Sequence, residues 1–125
     1  MDRGQVVTGF LMGTRRLLDI AGANRSVQLR DTRYTHDPVV LAAQHRLVAL
    51  NSALEVDLTG QVNSETAAGR YVGAVGGATD FLRGAAQSDG GLPIIALPAT
   101  AGPASRIVAR LSGPATQAVL TRASS

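Results

Sequence analysis

No cysteine occurs in the 125 residues, and no lysine: all 12 basic side chains are arginine. The first absence excludes disulfides, thiolate metal sites and cysteine nucleophiles, and is compatible with a reducing cytoplasm, where the protein is expected to reside. The second excludes a catalytic lysine. Large rings are scarce, with only Phe10, Phe81, Tyr34 and Tyr71, so any core must be aliphatic and thin. The net charge of +3 is spread from Arg3 to Arg122 with no basic run and no interleaved aromatics, which argues against nucleic acid as a partner. No stretch approaches the ~18 uninterrupted apolar residues of a membrane span, and M-D-R-G-Q-V-V lacks an apolar signal region. A soluble, unexported protein with no membrane partner is the expectation. His36 and His45 are the only histidines and show no metal-ligand spacing, so no metal site is expected.

The residues that are present alternate between strand and helix patterns. Gln5 to Leu11 is β-rich, Arg15 to Ala21 has Leu17, Leu18 and Ala21 on one helical face, and Val27 to Leu29 is a short strand. Asp37 is suited to cap, and Pro38 to begin, a helix through Gln44. From Leu47 to Val56 the side chains alternate: Val48, Leu50, Ser52, Leu54 and Val56 share a greasy face, while Ala49, Asn51, Ala53 and Glu55 share a partly polar one. Asp57 to Gly60 reads as a turn and Gln61 to Asn63 as a return strand, while Ser64 to Gly69 is ambiguous, with one helical turn as the reading offered. A helix from Ala78 to about Ala86, broken by Ser88-Asp89-Gly90-Gly91, precedes strands at Pro93 to Leu97, Ile107 to Leu111 and Gln117 to Thr121. This order predicts an α/β domain over residues 1–125, with a mostly parallel sheet flanked by helices and one bare sheet edge.

Gly73-Ala74-Val75-Gly76-Gly77, leading into a helix, is the strongest site candidate, because glycines admit a ligand close to the backbone and a helix N-terminus offers free N–H groups. The spacing is not that of a dinucleotide fingerprint, and no phosphate-binding P-loop sequence occurs. A tight strand-to-helix turn is the plain structural alternative. Glu55 and Asp57 flank Val56 on one strand face, and such a pair performs acid/base work only if one pKa is raised; solvated turn residues are the alternative. Glu65 reads as a helix-capping or surface residue.

The words S-A-L-E-V-D-L-T-G-Q-V-N (Ser52 to Asn63), G-A-V-G-G-A-T-D-F (Gly73 to Phe81), F-L-M-G-T (Phe10 to Thr14), Y-T-H-D-P (Tyr34 to Pro38) and S-R-I-V (Ser105 to Val108) occur in an order and spacing that resemble the C-terminal half of the acetyl-CoA hydrolase/CoA-transferase family. This group includes 4-hydroxybutyrate and succinyl/acetate CoA-transferases. The resemblance implies a NagB/RpiA-like fold and acyl-CoA with a small carboxylate as substrates, without a covalently bound cofactor. It carries the CoA-contact positions over to Leu54, Glu55, Gly76 and Gly77. The family's catalytic glutamate lies in a G-x-H-(T/S)-E-M-x-x-D-G segment upstream of F-L-M-G-T, and that segment is absent here, so no catalytic residue is assigned. The implied identity is a partial, truncated C-terminal domain that is inactive alone and pairs with an N-terminal half or a second copy. A non-catalytic CoA-binding or subunit-pairing module is the alternative. Two departures from the family pattern, Leu92-Pro93 before the I-I-A strand and Pro98-Ala99-Thr100-Ala101, remove a charge and a hydroxyl that relatives carry.

Overall fold

Residues 4–73 and 76–116 are described by the computed structural model of this chain, so the strand expected at Gln117 to Thr121 lies outside the described residues. The chain opens with a βαβ unit in which β1 (Val6–Thr8) and β2 (Val27–Leu29) pair in parallel across the helix α1 (Arg15–Ala23). Thr14 is the extended residue that starts α1, and the helix runs through Gly22 instead of stopping there.

Two short helices follow. Asp31 caps α2 (Thr32–Thr35), accepting from the Arg33 N–H at 2.7 Å. Asp37 caps α3 (Pro38–Ala42), accepting from the Val39 N–H at 2.7 Å, with Pro38 at the head of the helix. This is the arrangement the Asp-Pro pair predicts: the carboxylate takes an orphan donor, and proline begins the helix where no N–H is needed.

The long strand expected from Leu47 to Val56 is two strands, β3 (Val48–Ser52) and β4 (Glu55–Asp57), interrupted at Ala53 and Leu54. β3 pairs in parallel with β8 (Leu92–Ala96), and α4 (Ala78–Gln87) packs across both. The core sits in that layer: Ala49, Leu82 and Ala85 are buried, with Leu47, Phe81 and Ile95 packed around them. The greasy face of β3 is the open one, because Val48 and Leu50 are exposed while Ala49 is buried. Small residues on the inner face let the helix approach closely. The same economy appears between the helices, where a Cβ on Gly84 of α4 would lie 2.4 Å from Cβ of Leu41 on α3.

The fully buried Ser88 joins the end of α4 to the start of β3, accepting from the Leu47 N–H at 3.1 Å and donating to the Gln44 carbonyl. A Cβ on Gly91 would come within 2.1 Å of the Ala85 carbonyl, so the chain turns into β8 only with glycine there.

Among the described residues the strand pairings form five small sheets. The pairings β1–β2, β3–β8 and β4–β11 (Ile107–Val108) are parallel. Antiparallel pairings join β4 to β5 (Val62–Asn63), β6 (Thr66–Ala67) to β7 (Arg70–Tyr71) and β9 (Thr100–Ala101) to β10 (Ala104–Ser105). The molecule is thus a small mixed α/β domain with short sheets. The segment expected to make one helical turn, Ser64 to Gly69, belongs instead to the β6–β7 hairpin, whose loop is Ala68-Gly69.

Both loop residues have positive φ, 50° at Ala68 and 73° at Gly69, as a two-residue hairpin of favoured twist requires. Alanine tolerates that geometry poorly. Ala68→Asn, which gives the preferred Asn-Gly pair at an exposed site, is expected to stabilise the chain by roughly 0.5–1 kcal/mol. A rise in the urea midpoint checks this, and an unchanged or lower midpoint contradicts it.

Candidate functional site

The turn before α4 holds two glycines that are required for different reasons. Gly76 has φ +54° with open space where a side chain would stand, so its need is conformational. Gly77 has ordinary dihedrals, φ −86° and ψ 5°, and begins α4 with no side chain capping that end. Its need is steric: an added Cβ would lie 2.2 Å from His36 Nε2 and 2.4 Å from Cδ2. Positive φ therefore falls on Gly76 and not on Gly77.

His36 is held from two further sides. Its Nδ1 lies 2.9 Å from Thr35 Oγ1, and its ring meets Phe81 edge-on, with centroids 5.2 Å apart at 78°. The Y-T-H-D-P word thus divides its work: Asp37 and Pro38 start α3, while the neighbouring His36 reaches the turn. An open cleft of about 630 Å³ lies here, lined by Thr32, Arg33, His36, Gly76, Gly77 and Asp80 among others.

Leu54 and Glu55 line a different cavity, of about 170 Å³, together with Ala68, Ser105, Arg106 and Ser112 among others; the two cavities share no lining residue. Arg106 donates to the Ala53 carbonyl at 3.5 Å. One oxygen of Glu55, Oε1, accepts from Asn63 Nδ2 at 2.9 Å and from the Ser112 N–H and hydroxyl, each at 2.8 Å. Asn63 is fully buried and joins this strand to the next hairpin. Its Nδ2 also donates to the Thr66 carbonyl at 2.8 Å, and its Oδ1 accepts from the N–H groups of Glu65 and Thr66, each at 3.0 Å.

Asp57 turns the other way. Its Oδ1 accepts from the Thr59 hydroxyl at 2.6 Å and from the N–H groups of Thr59 and Gln61 at 2.9 and 3.0 Å, which closes the D-L-T-G turn. The structure therefore gives Glu55 and Asp57 separate partners.

Both carboxyls are held below their ordinary range. For Glu55, burial pushes upward, and the hydrogen bonds from Asn63, Ser112 and the Gly113 backbone outweigh it. For Asp57, the Thr59 hydroxyl dominates over burial and is joined by N–H groups of Gln61, Thr59 and Leu111. Acid/base work near neutral pH needs a raised carboxyl, so this pair is not arranged for it.

A lowered folded-state pKa contributes stability that is fully present above the unfolded carboxylate value, about pH 4, and is lost as pH falls through the lowered values. Acidification from about pH 6 to pH 3 is expected to lower the melting temperature, with a shallower decline in Glu55→Gln. Parallel melting curves for the two proteins would contradict the assignment to Glu55.

Glu65 does not cap a helix; its Oε2 accepts from the Thr116 hydroxyl at 2.9 Å, which in turn accepts from the Ser64 N–H. His45 lies 3.2 Å from Asp89 on the surface. Among the described residues no cluster of histidine and carboxylate side chains is placed to hold a metal, and no helix is long and apolar enough to cross a membrane. The residue missed in the sequence is Asn63. Its signal was local: an asparagine followed by Ser-Glu-Thr suits a side chain that accepts from backbone N–H groups two and three residues on.

Residues 13–124 match the acetyl-CoA hydrolase/transferase C-terminal domain. The chain is 43% identical over 99 residues to 4-hydroxybutyrate coenzyme A transferase of Clostridium kluyveri, covering 79% of this chain and 23% of that protein. It is 45% identical over 97 residues to the succinyl-CoA:acetate/propanoyl-CoA:succinate CoA transferase of Fasciola hepatica, covering 76% and 20%. Among solved structures, RipA from Yersinia pestis superposes with a TM-score of 0.83 at 41% identity, covering 93% of this chain and 27% of that one. The 4-hydroxybutyrate CoA-transferase from Porphyromonas gingivalis superposes with a TM-score of 0.73 at 35% identity, covering 91% and 26%. The chain spans about a quarter of the length of these relatives. With the family match spanning residues 13–124 and the relatives up to 45% identical to it over the aligned residues, the chain belongs to the acetyl-CoA hydrolase/transferase family, and within it to the C-terminal domain.

Proposed function

We propose that this chain is the C-terminal portion of an acyl-CoA:carboxylate CoA-transferase or acetyl-CoA hydrolase, and that it contributes CoA-binding elements. The observation that carries this reading is the open cleft at the Gly76-Gly77 turn, where α4 begins without a capping side chain, in a chain of this family. Backbone N–H groups at such an end suit a polarised thioester carbonyl or an anion. Leu54 and Glu55 form a second contact region.

The substrates are an acyl-CoA and a small carboxylate, with no covalently bound cofactor. The nucleophilic carboxylate comes from a segment that this sequence does not contain, supplied by an N-terminal part or another chain. The parallel pairs β1–β2, β3–β8 and β4–β11 are the pieces of the mostly parallel, NagB/RpiA-like sheet expected of the whole enzyme, of which residues 1–125 are a partial domain. A reducing cytoplasm is the compartment that acyl-CoA chemistry and a cysteine-free chain suit.

Alone, the chain is expected to exchange no CoA between acetyl-CoA and succinate. Turnover near the ~10 per second of a typical enzyme would overturn the assignment of the nucleophile to another segment.

A further inference from the structure

We propose that His36 is a positioning residue for the CoA contact, acting through the turn at Gly76 and Gly77. This rests on the reading of that turn as a CoA contact. The geometry supplies the reason. The imidazole occupies the space that a side chain at Gly77 would need, with Nε2 and Cδ2 the nearest atoms to that position. It is fixed at Nδ1 by Thr35 Oγ1 and along its edge by Phe81, which itself packs on the core around Leu82. The ring is thus a wedge between α2 and α4, backed by the core on one side and bearing on the turn on the other.

Its consequence concerns the first N–H groups of α4. Their direction depends on where Gly77 sits, and Gly77 has no side chain of its own to anchor it. A turn with an unhindered glycine at φ +54° beside it is free to relax when its support is removed. Donors aimed at a ligand lose most of their worth when displaced by a fraction of an ångström. Gly77 and His36 are therefore a matched pair: the absent side chain of one makes room for the ring of the other.

The test uses the whole chain, with coenzyme A as the probe. Isothermal titration is run on the unaltered protein, on His36→Ala and on His36→Leu, the latter keeping an apolar contact with Phe81 if the alanine variant fails to fold. Circular dichroism reports the fold, and the nuclear magnetic resonances of Gly76 and Gly77 report the turn. The expected result is a retained fold, shifted Gly76 and Gly77 resonances, and CoA affinity weakened about tenfold. A purely structural role would not move affinity in a variant that keeps its fold. Unchanged affinity, or unmoved glycine resonances, overturns the proposal. If the unaltered chain shows no saturable CoA signal, the CoA reading itself fails and takes this role with it. The glycine resonances still distinguish that case, because they move on replacing His36 whether or not CoA binds.

Discussion

Replacing Asn63 with leucine is expected to lower the unfolding free energy by about 3 kcal/mol or more, the largest effect of any single substitution considered for this chain. The side chain has no exposed surface, and Thr66, which supplies two of its partners, is buried as well. Leucine has similar volume, but it leaves the N–H groups of Glu65 and Thr66 and the carbonyl of Thr66 without the bonds that Asn63 makes. Each buried orphan costs roughly 1–3 kcal/mol, and the Glu55 carboxylate loses one of its donors as well. Urea denaturation measures the change. A loss under about 1 kcal/mol would show that the network tolerates apolar replacement, as some buried polar clusters do.

The second large effect is expected at Leu82. Of the buried members of the central cluster, Ala49, Leu82 and Ala85, it alone has a bulky side chain. Leu82→Ala removes that volume from beneath α4, where Phe81 and Ile95 pack against the same cluster and the inner face of β3, with Ala49 and Asn51, has no bulky apolar side chain to close the gap. The expected cost is about 3 kcal/mol, within the range seen when buried leucine is truncated. With native stabilities of roughly 5–15 kcal/mol, such a loss removes a large part of the total. The variant should melt on the order of 10 °C lower. A melting temperature within a couple of degrees of the unaltered chain would place the core elsewhere.

Helices α1, α3 and α4 were legible because their signals are local, whereas the single turn of α2 was not expected. Asp37-Pro38 caps and starts α3, and the apolar spacing around Phe81, Leu82 and Ala85 marks α4 within a residue of its observed end. What could not be read was which strand face meets the helix. Val48 and Leu50 make the greasier face of β3, yet helix packing selected the face with Ala49, since close approach rewards small side chains as much as apolar ones. Val48 lies opposite Leu92 on β8, and both are exposed, as is Leu50, which lies opposite the half-buried Ile94. The hairpin at Ala68-Gly69 escaped notice because its loop lacks the Asn-Gly or Asp-Gly signature and holds alanine at positive φ instead.

The geometry around the candidate site was legible in part. The glycines at the start of α4 stood out, but the reason for Gly77 could not be seen from its neighbours in sequence. It depends on His36, forty-one positions earlier, reaching it across the helix packing. Glu55 was picked out by its word in the sequence, and its partner Asn63 closes the same word, while Ser112 comes from a distant segment that only folding brings to it. A single charged residue on a strand does not reveal which donors will surround it.

On the proposed function, this domain carries CoA-contacting elements at the head of α4 and at the start of β4. Mapping CoA-induced resonance shifts on the isotope-labelled chain tests it most directly. Saturable shifts are expected at Gly76, Gly77 and the first N–H groups of α4, accompanied by shifts at Leu54 and Glu55. Shifts confined to the separate cavity lined by Val7, Val40 and Leu41, or no saturable shift at millimolar CoA, would contradict it.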